Sequence, residues 1–128
     1  MVKLESTGYI TKTDNSDAVA SIGVFNGCFY NDPTTQKPTW KNYYPGSITP
    51  TVGEIEAFVY DDPNKLFLIQ GNGIIAQSSV GRNSNIVYAA GSTINGQSKT
   101  EMNSTTESAG VTGQLRIIRI CEDPDNSD

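Results

Sequence analysis

The sequence predicts an all-β fold, a compact antiparallel β-barrel or β-sandwich with one long loop rich in proline and aromatic residues. Three observations predict it. No window shows an apolar repeat at three-to-four spacing together with a cap and a stop, so helices are not expected. Short apolar segments alternate with turn signals along the chain. Gly, Ser, Thr and Asn are frequent, and they suit turns and strand surfaces better than helices.

The first part of the chain is expected to hold a hairpin and a long central strand. Residues 2–4 and 9–10 bracket a turn at residues 6–8. The apolar run at residues 19–30 is broken by two glycines. It is expected to form either one central strand with a bulge or two strands with a sharp bend.

The rest of the chain is expected to continue as a meander of short strands joined by turns. Asn72 and Gly73 give the strongest hairpin signal, because both residue types tolerate a positive φ. The last strand carries apolar residues on both faces, so we expect it to be central or shielded on both sides. The predicted strands are residues 55–60, 66–70, 74–76, 85–89, 99–102 and 114–121.

Two segments are expected to be loops. Residues 31–51 contain four prolines and therefore cannot form a central strand. Residues 103–112 are polar and rich in Ser, Thr and Gly. A chain of 128 residues fits one domain, which we place at residues 1–122, followed by an acidic tail at residues 123–128.

Composition argues against several classes of partner. The net charge of -5 and the pI of about 4.6 disfavour binding to a nucleic-acid backbone. No stretch of apolar residues is long enough for a transmembrane helix, so no membrane partner is expected. The amino terminus does not resemble a signal peptide.

The residue inventory also argues against catalysis and cofactors. The chain has no histidine, which removes the commonest general base and histidine-ligated zinc. The acidic clusters do not follow the calcium-loop pattern, so no metal or cofactor is expected. Cys28 and Cys121 are expected to be buried free thiols, and a disulfide between them is the less favoured alternative. A hydrolase using Glu54 and Glu56, which share one side of a strand, is a weaker alternative than two solvated glutamates.

The proline-rich loop contains the candidate interface. Trp and Tyr are frequent in binding hot spots, and the prolines restrict the loop before binding. The alternative is that the aromatic side chains fold back and plug the end of a barrel. The candidate interface residues are Lys37, Trp40, Lys41, Tyr43 and Tyr44.

Several segments of the sequence resemble those of a family of small virion proteins from tailed phages, especially marine podovirus-like ones. The resemblance covers about residues 20–126 and lies in residues 23–33, 43–46, 57–63, 70–73, 115–117 and 123–126. The family pattern begins earlier and continues further, which leaves open whether arms that clasp a capsid belong to the protein.

The resemblance implies a non-enzymatic decoration (cement) protein on the outer surface of a phage capsid. Its implied partners are the major capsid protein and further copies of itself, for example in a homotrimer at a lattice axis. It would be made in the host cytoplasm and reside on the virion. The alternative function is a ligand-binding or glycan-binding β module of a head fibre or another virion appendage, motivated by aromatics such as Trp40 and Tyr44.

Overall fold

The computed structural model describes residues 1–15, 21–50, 52–109 and 112–122. Within these ranges the chain is essentially all-β, which confirms the predicted fold class. The strands pair into four small antiparallel sheets, and the only helical element described is a 3₁₀ turn at Gln77–Ser79. The described strands do not close into a barrel, one of the two expected architectures. The start of the predicted apolar run at Val19 and the predicted tail at residues 123–128 lie outside the described residues.

The amino-terminal hairpin forms as predicted. Strand β1 (Val2–Leu4) pairs antiparallel with β2 (Ile10–Lys12). In the turn, Glu5 N–H donates to the carbonyl of Tyr9, and Gly8 N–H donates to the carbonyl of Glu5. The hairpin also joins the next strand, because Val2 N–H donates to the carbonyl of Gly23 at 3.0 Å.

The largest sheet has the order β4-β3-β5. The central strand β3 (Val24–Asn31) pairs with β5 (Glu56–Tyr60) and contains a bulge between Phe25 and Gly27, which confirms the predicted bulged central strand. Strand β4 (Pro38–Lys41) lies inside the segment predicted to be a loop, and that prediction was wrong here. The strand tolerates its proline because Pro38 is the first residue of an edge strand.

The turn between β3 and β4 is held by Asp32. One carboxylate oxygen accepts the backbone N–H of Thr34 at 2.8 Å and that of Thr35 at 2.9 Å. The backbone N–H of Gln36 donates to the carbonyl of Asp32 at 2.7 Å. Three backbone N–H groups therefore bond to Asp32, and these local hydrogen bonds hold the turn of the hairpin.

The second half of the chain forms two small sheets. Strand β6 (Asn83–Ser84) pairs with β9 (Leu115–Arg116), and β7 (Ile86–Val87) pairs with β8 (Glu101–Met102). Five further strand predictions were wrong in whole or in part. Residues 66–70 and 74–76 are not strands, and the predicted strands at residues 85–89, 99–102 and 114–121 are limited to β7, β8 and β9.

The predicted hairpin at Asn72 does not form because this side chain is used elsewhere. Its Oδ1 atom accepts the backbone N–H of Ser104 at 2.8 Å and the Ser104 hydroxyl at 2.9 Å. The Asn72 N–H donates to the carbonyl of Met102 at 2.9 Å. The segment around Asn72 is therefore tied to a distant loop, and residues 74–76 do not pair with residues 66–70.

The last strand is neither central nor shielded on both sides. Strand β9 pairs with β6 alone, and the contact ends with Ile117, whose N–H donates to the carbonyl of Arg82 at 3.0 Å. Ile117 is buried, whereas Ile118 is 52% exposed. Apolar residues on both sides of this segment therefore did not mean burial on both sides.

The described core is small, and it has contributions from both halves of the chain. Its buried apolar residues are Val2, Cys28, Tyr30, Ile86, Met102 and Ile117. The halves are tied by side-chain hydrogen bonds: Gln114 Nε2 donates to the carbonyl of Asp14 at 2.8 Å, and Asn42 Nδ2 donates to that of Asn95 at 3.2 Å.

The two cysteines differ from the prediction in one respect. Neither is in a disulfide, and Cys28 is buried as expected, but Cys121 is exposed. Cys121 follows the short strand β9 and lies beyond the residues that pair with β6.

Candidate functional site

One side of the β4-β3-β5 sheet carries a group of aromatic side chains. Phe29 lies directly opposite Trp40 on β4, Phe58 lies opposite Gly27, and Tyr60 lies opposite Val24. Residues opposite each other on neighbouring strands project from the same side of the sheet, and so do residues two apart on one strand. Phe29, Trp40, Phe58 and Tyr60 therefore share one side.

Trp40 and Phe58 form the centre of this surface. The indole of Trp40 extends across β3 above Gly27 and meets the ring of Phe58 edge-to-face, with centroids 5.1 Å apart. Only glycine allows this approach, because a Cβ atom at position 27 would lie 2.4 Å from Cζ2 of the indole. The β-bulge beside Gly27 thus opens the space that Trp40 occupies.

The aromatic surface continues beyond the end of β5. The rings of Tyr60 and Phe67 are 6.4 Å apart, and the Lys65 ammonium lies 5.4 Å from the centroid of the Tyr60 ring. We call Phe29, Trp40, Phe58, Tyr60 and Phe67 the aromatic face.

The aromatic face is held in place but open to solvent. Its five side chains are between 39% and 49% exposed. At about 150–250 Å² for each aromatic side chain, half-exposure of five rings leaves roughly 500 Å² of aromatic surface in water. An apolar patch of about this size on a folded protein is often a binding site. It supplies much of the roughly 800 Å² per partner that a standard protein interface buries.

The candidate interface residues predicted from the sequence do not lie together in the structure. Trp40 belongs to the aromatic face, but Lys41 lies on the other side of the sheet, opposite Cys28. Tyr43 is half-buried next to Lys41, and Tyr44 and Lys37 are exposed outside the aromatic face. The alternative in which Trp40 plugs a barrel does not apply, because the described strands form no barrel and Trp40 is 49% exposed.

Lys41, Tyr43 and Cys28 form a separate, supporting cluster. The Lys41 ammonium donates to the Tyr43 hydroxyl at 3.3 Å, and this bond raises the pKa of Lys41. The Cys28 thiol donates weakly to the Tyr43 carbonyl at 3.5 Å. Burial raises the pKa of Cys28, opposed by the positive charge of Lys41. These contacts fix the chain that leaves β4 against the inner side of the sheet.

Sequence reasoning missed four members of the aromatic face: Phe29, Phe58, Tyr60 and Phe67. The useful signal was the alternation of Glu56, Phe58 and Tyr60, which places two rings and one carboxylate on the same side of β5. The link from β5 to Phe29 and Trp40 depends on strand register, which the sequence pattern does not specify once a bulge intervenes.

The paired glutamates take different positions. Glu54 precedes β5 and accepts a hydrogen bond from the Tyr9 hydroxyl at 3.1 Å, which raises the pKa of Tyr9. Glu56 lies opposite Phe29, so Glu56, Phe29 and Trp40 form one row across the three strands. The row places a carboxylate at one edge of the aromatic face.

The remaining features of the described residues are few. Their His, Cys, Asp and Glu side chains form no group of three or more that could hold a metal ion. None of the described helical segments has the length and apolar character needed to cross a membrane. A hollow of about 300 Å³ lies at the end of the β3–β4 hairpin, lined by Asn31, Asp32, Gln36, Pro38 and Val52.

Comparison with known proteins gives no match: no family model, no curated protein and no solved structure is significantly similar to this chain.

Proposed function

We propose that this protein is a non-enzymatic structural protein of a phage virion that binds the outer surface of the capsid and stabilises it. The observation that carries the proposal is the aromatic face, a preformed and exposed apolar surface on the outer side of the largest sheet. The phage setting comes from the sequence resemblance. The partner proposed for the aromatic face is the major capsid protein.

The shape and chemistry of the aromatic face suit a protein partner. Its rings lie on a sheet, and the Trp40–Phe58 contact holds two of them before binding, which lowers the entropy cost of association. Trp and Tyr are the residue types that most often dominate binding energy at the centre of an interface. Trp40 and Tyr60 are therefore the proposed energetic centre of the contact.

A decoration protein gains from repetition on the capsid lattice. Each contact can be weak, because copies that also touch one another bind with increased effective affinity. Binding to the assembled shell but not to loose subunits stabilises the shell by mass action. The net charge of -5 keeps the free protein soluble and disfavours nucleic acid as a competing partner. The homotrimer that the resemblance implies stays a prediction.

The test is co-sedimentation of the purified protein with capsids that lack it. We expect saturable binding and a higher temperature of capsid disruption. Trp40→Ala should weaken binding at least about tenfold, since hot-spot truncations cost about 2 kcal/mol or more. Tyr44→Ala is the matched control, because Tyr44 is 55% exposed but lies outside the aromatic face. No binding by the wild type, or equal binding by both variants, contradicts the proposal.

Glycan binding is the second candidate function, and the row of Glu56, Phe29 and Trp40 favours it. Aromatic rings stack against the apolar faces of sugars, while a carboxylate accepts hydrogen bonds from sugar hydroxyls.

A glycan screen separates the two candidates. Glycan binding at this row uses the charged carboxylate of Glu56, so Glu56→Gln, which leaves a neutral and weaker acceptor, should weaken it. Glu54→Gln is the matched control, because Glu54 is bonded to Tyr9. Capsid binding through the rings should survive both changes. An empty screen, or a sugar signal unchanged in Glu56→Gln, rejects glycan binding at this row.

A further inference from the structure

Residues 66–69 are an exposed apolar segment without backbone partners. In the part of the chain that the structure describes, the N–H and C=O groups of Leu66, Phe67, Leu68 and Ile69 make no hydrogen bond. Leu66 is 64% exposed and Leu68 is 85% exposed. Exposed Leu-Phe-Leu-Ile backbone is a template for pairing with another strand.

The fold holds this segment away from the nearest strand. Its downstream end is tied to β8, because Met102 N–H donates to the Gln70 carbonyl at 2.8 Å and Gly71 bridges Met102. Before Gln70, the segment and residues 98–101 diverge. A cleft of about 520 Å³ separates Leu68, Ile69 and Gln70 from residues 98–101. The segment therefore stays unpaired on the side of β8.

The segment lacks the usual protection of an exposed strand edge. Natural edges are blunted by charged residues or proline. From Leu66 to Gly81 the chain has no charged residue and no proline, although the whole protein carries a net charge of -5. Two copies of so acidic a chain repel each other, and this stretch offers them a neutral surface of contact.

We propose that residues 66–69 pair antiparallel with the same segment of a second copy across a twofold axis. Such an interface is isologous, and a twofold axis through an antiparallel pair of strands sets one residue opposite its own copy, here Leu68 opposite Leu68. Phe67 then lies opposite Ile69 and Lys65 opposite Gly71, so no like charges meet. In an extended strand, Leu66 and Leu68 project from the side opposite Phe67. Since Phe67 contacts Tyr60, the paired leucines leave the aromatic face free. This inference goes beyond the proposed function, and its twofold dimer is an alternative to the homotrimer that the resemblance implies.

Sedimentation equilibrium over a wide protein concentration range tests the pairing. We expect a monomer–dimer equilibrium for the wild type. Leu68→Lys should raise the dissociation constant at least about tenfold by setting two cations beside the axis, although it lowers the overall repulsion. Ile94→Lys is the matched control, because it makes the same charge change at a turn residue that is 97% exposed, and it should dimerise like the wild type.

Two further readouts make the outcome decisive. Hydrogen exchange should show the amides of Phe67 and Ile69 becoming protected as the dimer forms, because in an extended strand they face away from β8. Near-ultraviolet circular dichroism should show that Leu68→Lys stays folded. Trp40→Ala should not change the dimer. A monomer at every concentration, a trimer, an unchanged dimer in Leu68→Lys, or loss of the dimer in Trp40→Ala overturns the proposal.

Discussion

Trp40 lies over Gly27, so close that a Cβ atom at position 27 would stand 2.4 Å from the indole Cζ2 atom and 2.8 Å from the carbonyl oxygen of Lys41. The φ angle of Gly27 is 152°, which L residues rarely adopt. The bulge, the glycine and the tryptophan therefore form one unit, and the aromatic face depends on it.

Gly27→Ala should displace Trp40 and lower the free energy of unfolding by about 1–3 kcal/mol, the usual range for overpacking. Trp40 is the only tryptophan, so its fluorescence reports the displacement directly, as a shift to longer wavelength. Gly8→Ala is the control, because Gly8 also has a positive φ but nothing lies within 4 Å of its added Cβ. The control should lose stability without a change in emission, and an unchanged emission in Gly27→Ala contradicts the assignment.

Tyr30→Phe should stabilise the protein. Tyr30 is 1% exposed, and its hydroxyl is buried without a hydrogen-bond partner among the described residues. A buried, unsatisfied polar group costs about 1–3 kcal/mol, and phenylalanine removes it while keeping the ring. The midpoint of urea unfolding should rise with an unchanged slope.

Tyr43→Phe provides the comparison for Tyr30→Phe. The Tyr43 hydroxyl accepts a hydrogen bond from the Lys41 ammonium, so its removal should not stabilise the protein. A midpoint that falls in Tyr30→Phe would mean that its hydroxyl has a partner in solution.

The sequence predicted those parts of the fold in which local signals and tertiary pairing agree. The turn at residues 6–8 closes a hairpin, and the interruption of the apolar run by Gly27 becomes a bulge in the central strand. The Asn-Gly signal at Asn72 failed because its side chain bonds to Ser104, far along the chain, which overrides the local turn preference.

Of the five residues of the aromatic face, only Trp40 was predicted from the sequence. Trp40 was identified from its type and its proline-rich surroundings, whereas Phe29 and Phe58 depend on the registers of β3 with β4 and β5. A shift of one residue would turn Trp40 to the inner side of the sheet, and residue types alone do not specify register. Lys41, adjacent to Trp40 in sequence, lies on the inner side because successive residues of a strand project from opposite sides.

Removing the Asp32 carboxylate should lower the Tm at neutral pH. The backbone N–H groups of Thr35 and Thr34 hold the pKa of Asp32 below its ordinary value of 3.8. A carboxyl group whose pKa is lowered by folding stabilises the folded protein at pH values above its ordinary pKa. This contribution is lost as the pH falls through the lowered pKa. The Tm difference between wild type and Asp32→Ala should therefore be full near pH 7 and shrink below about pH 4.

Asp61→Ala is the matched control for Asp32→Ala, since Asp61 is an exposed carboxylate just after β5 with no hydrogen bond among the described contacts. It should leave the Tm near pH 7 close to that of the wild type, because it removes no contact that holds the turn. A Tm difference in Asp32→Ala that stays constant from pH 7 to pH 3 would show that the carboxylate charge does not hold the turn.

The two thiols should react at very different rates. Cys121 is exposed, whereas Cys28 is buried and burial raises its pKa above the ordinary 9.0, so the reactive thiolate of Cys28 is scarce and inaccessible at pH 8. A thiol reagent should label Cys121 quickly in the folded protein and reach Cys28 only at the rate of opening or unfolding. Cys121→Ser should remove the fast phase and Cys28→Ser the slow one. Rapid labelling of Cys28 in folded Cys121→Ser would show that β3 is open to solvent on its inner side, and the aromatic face could then not rest on a rigid sheet.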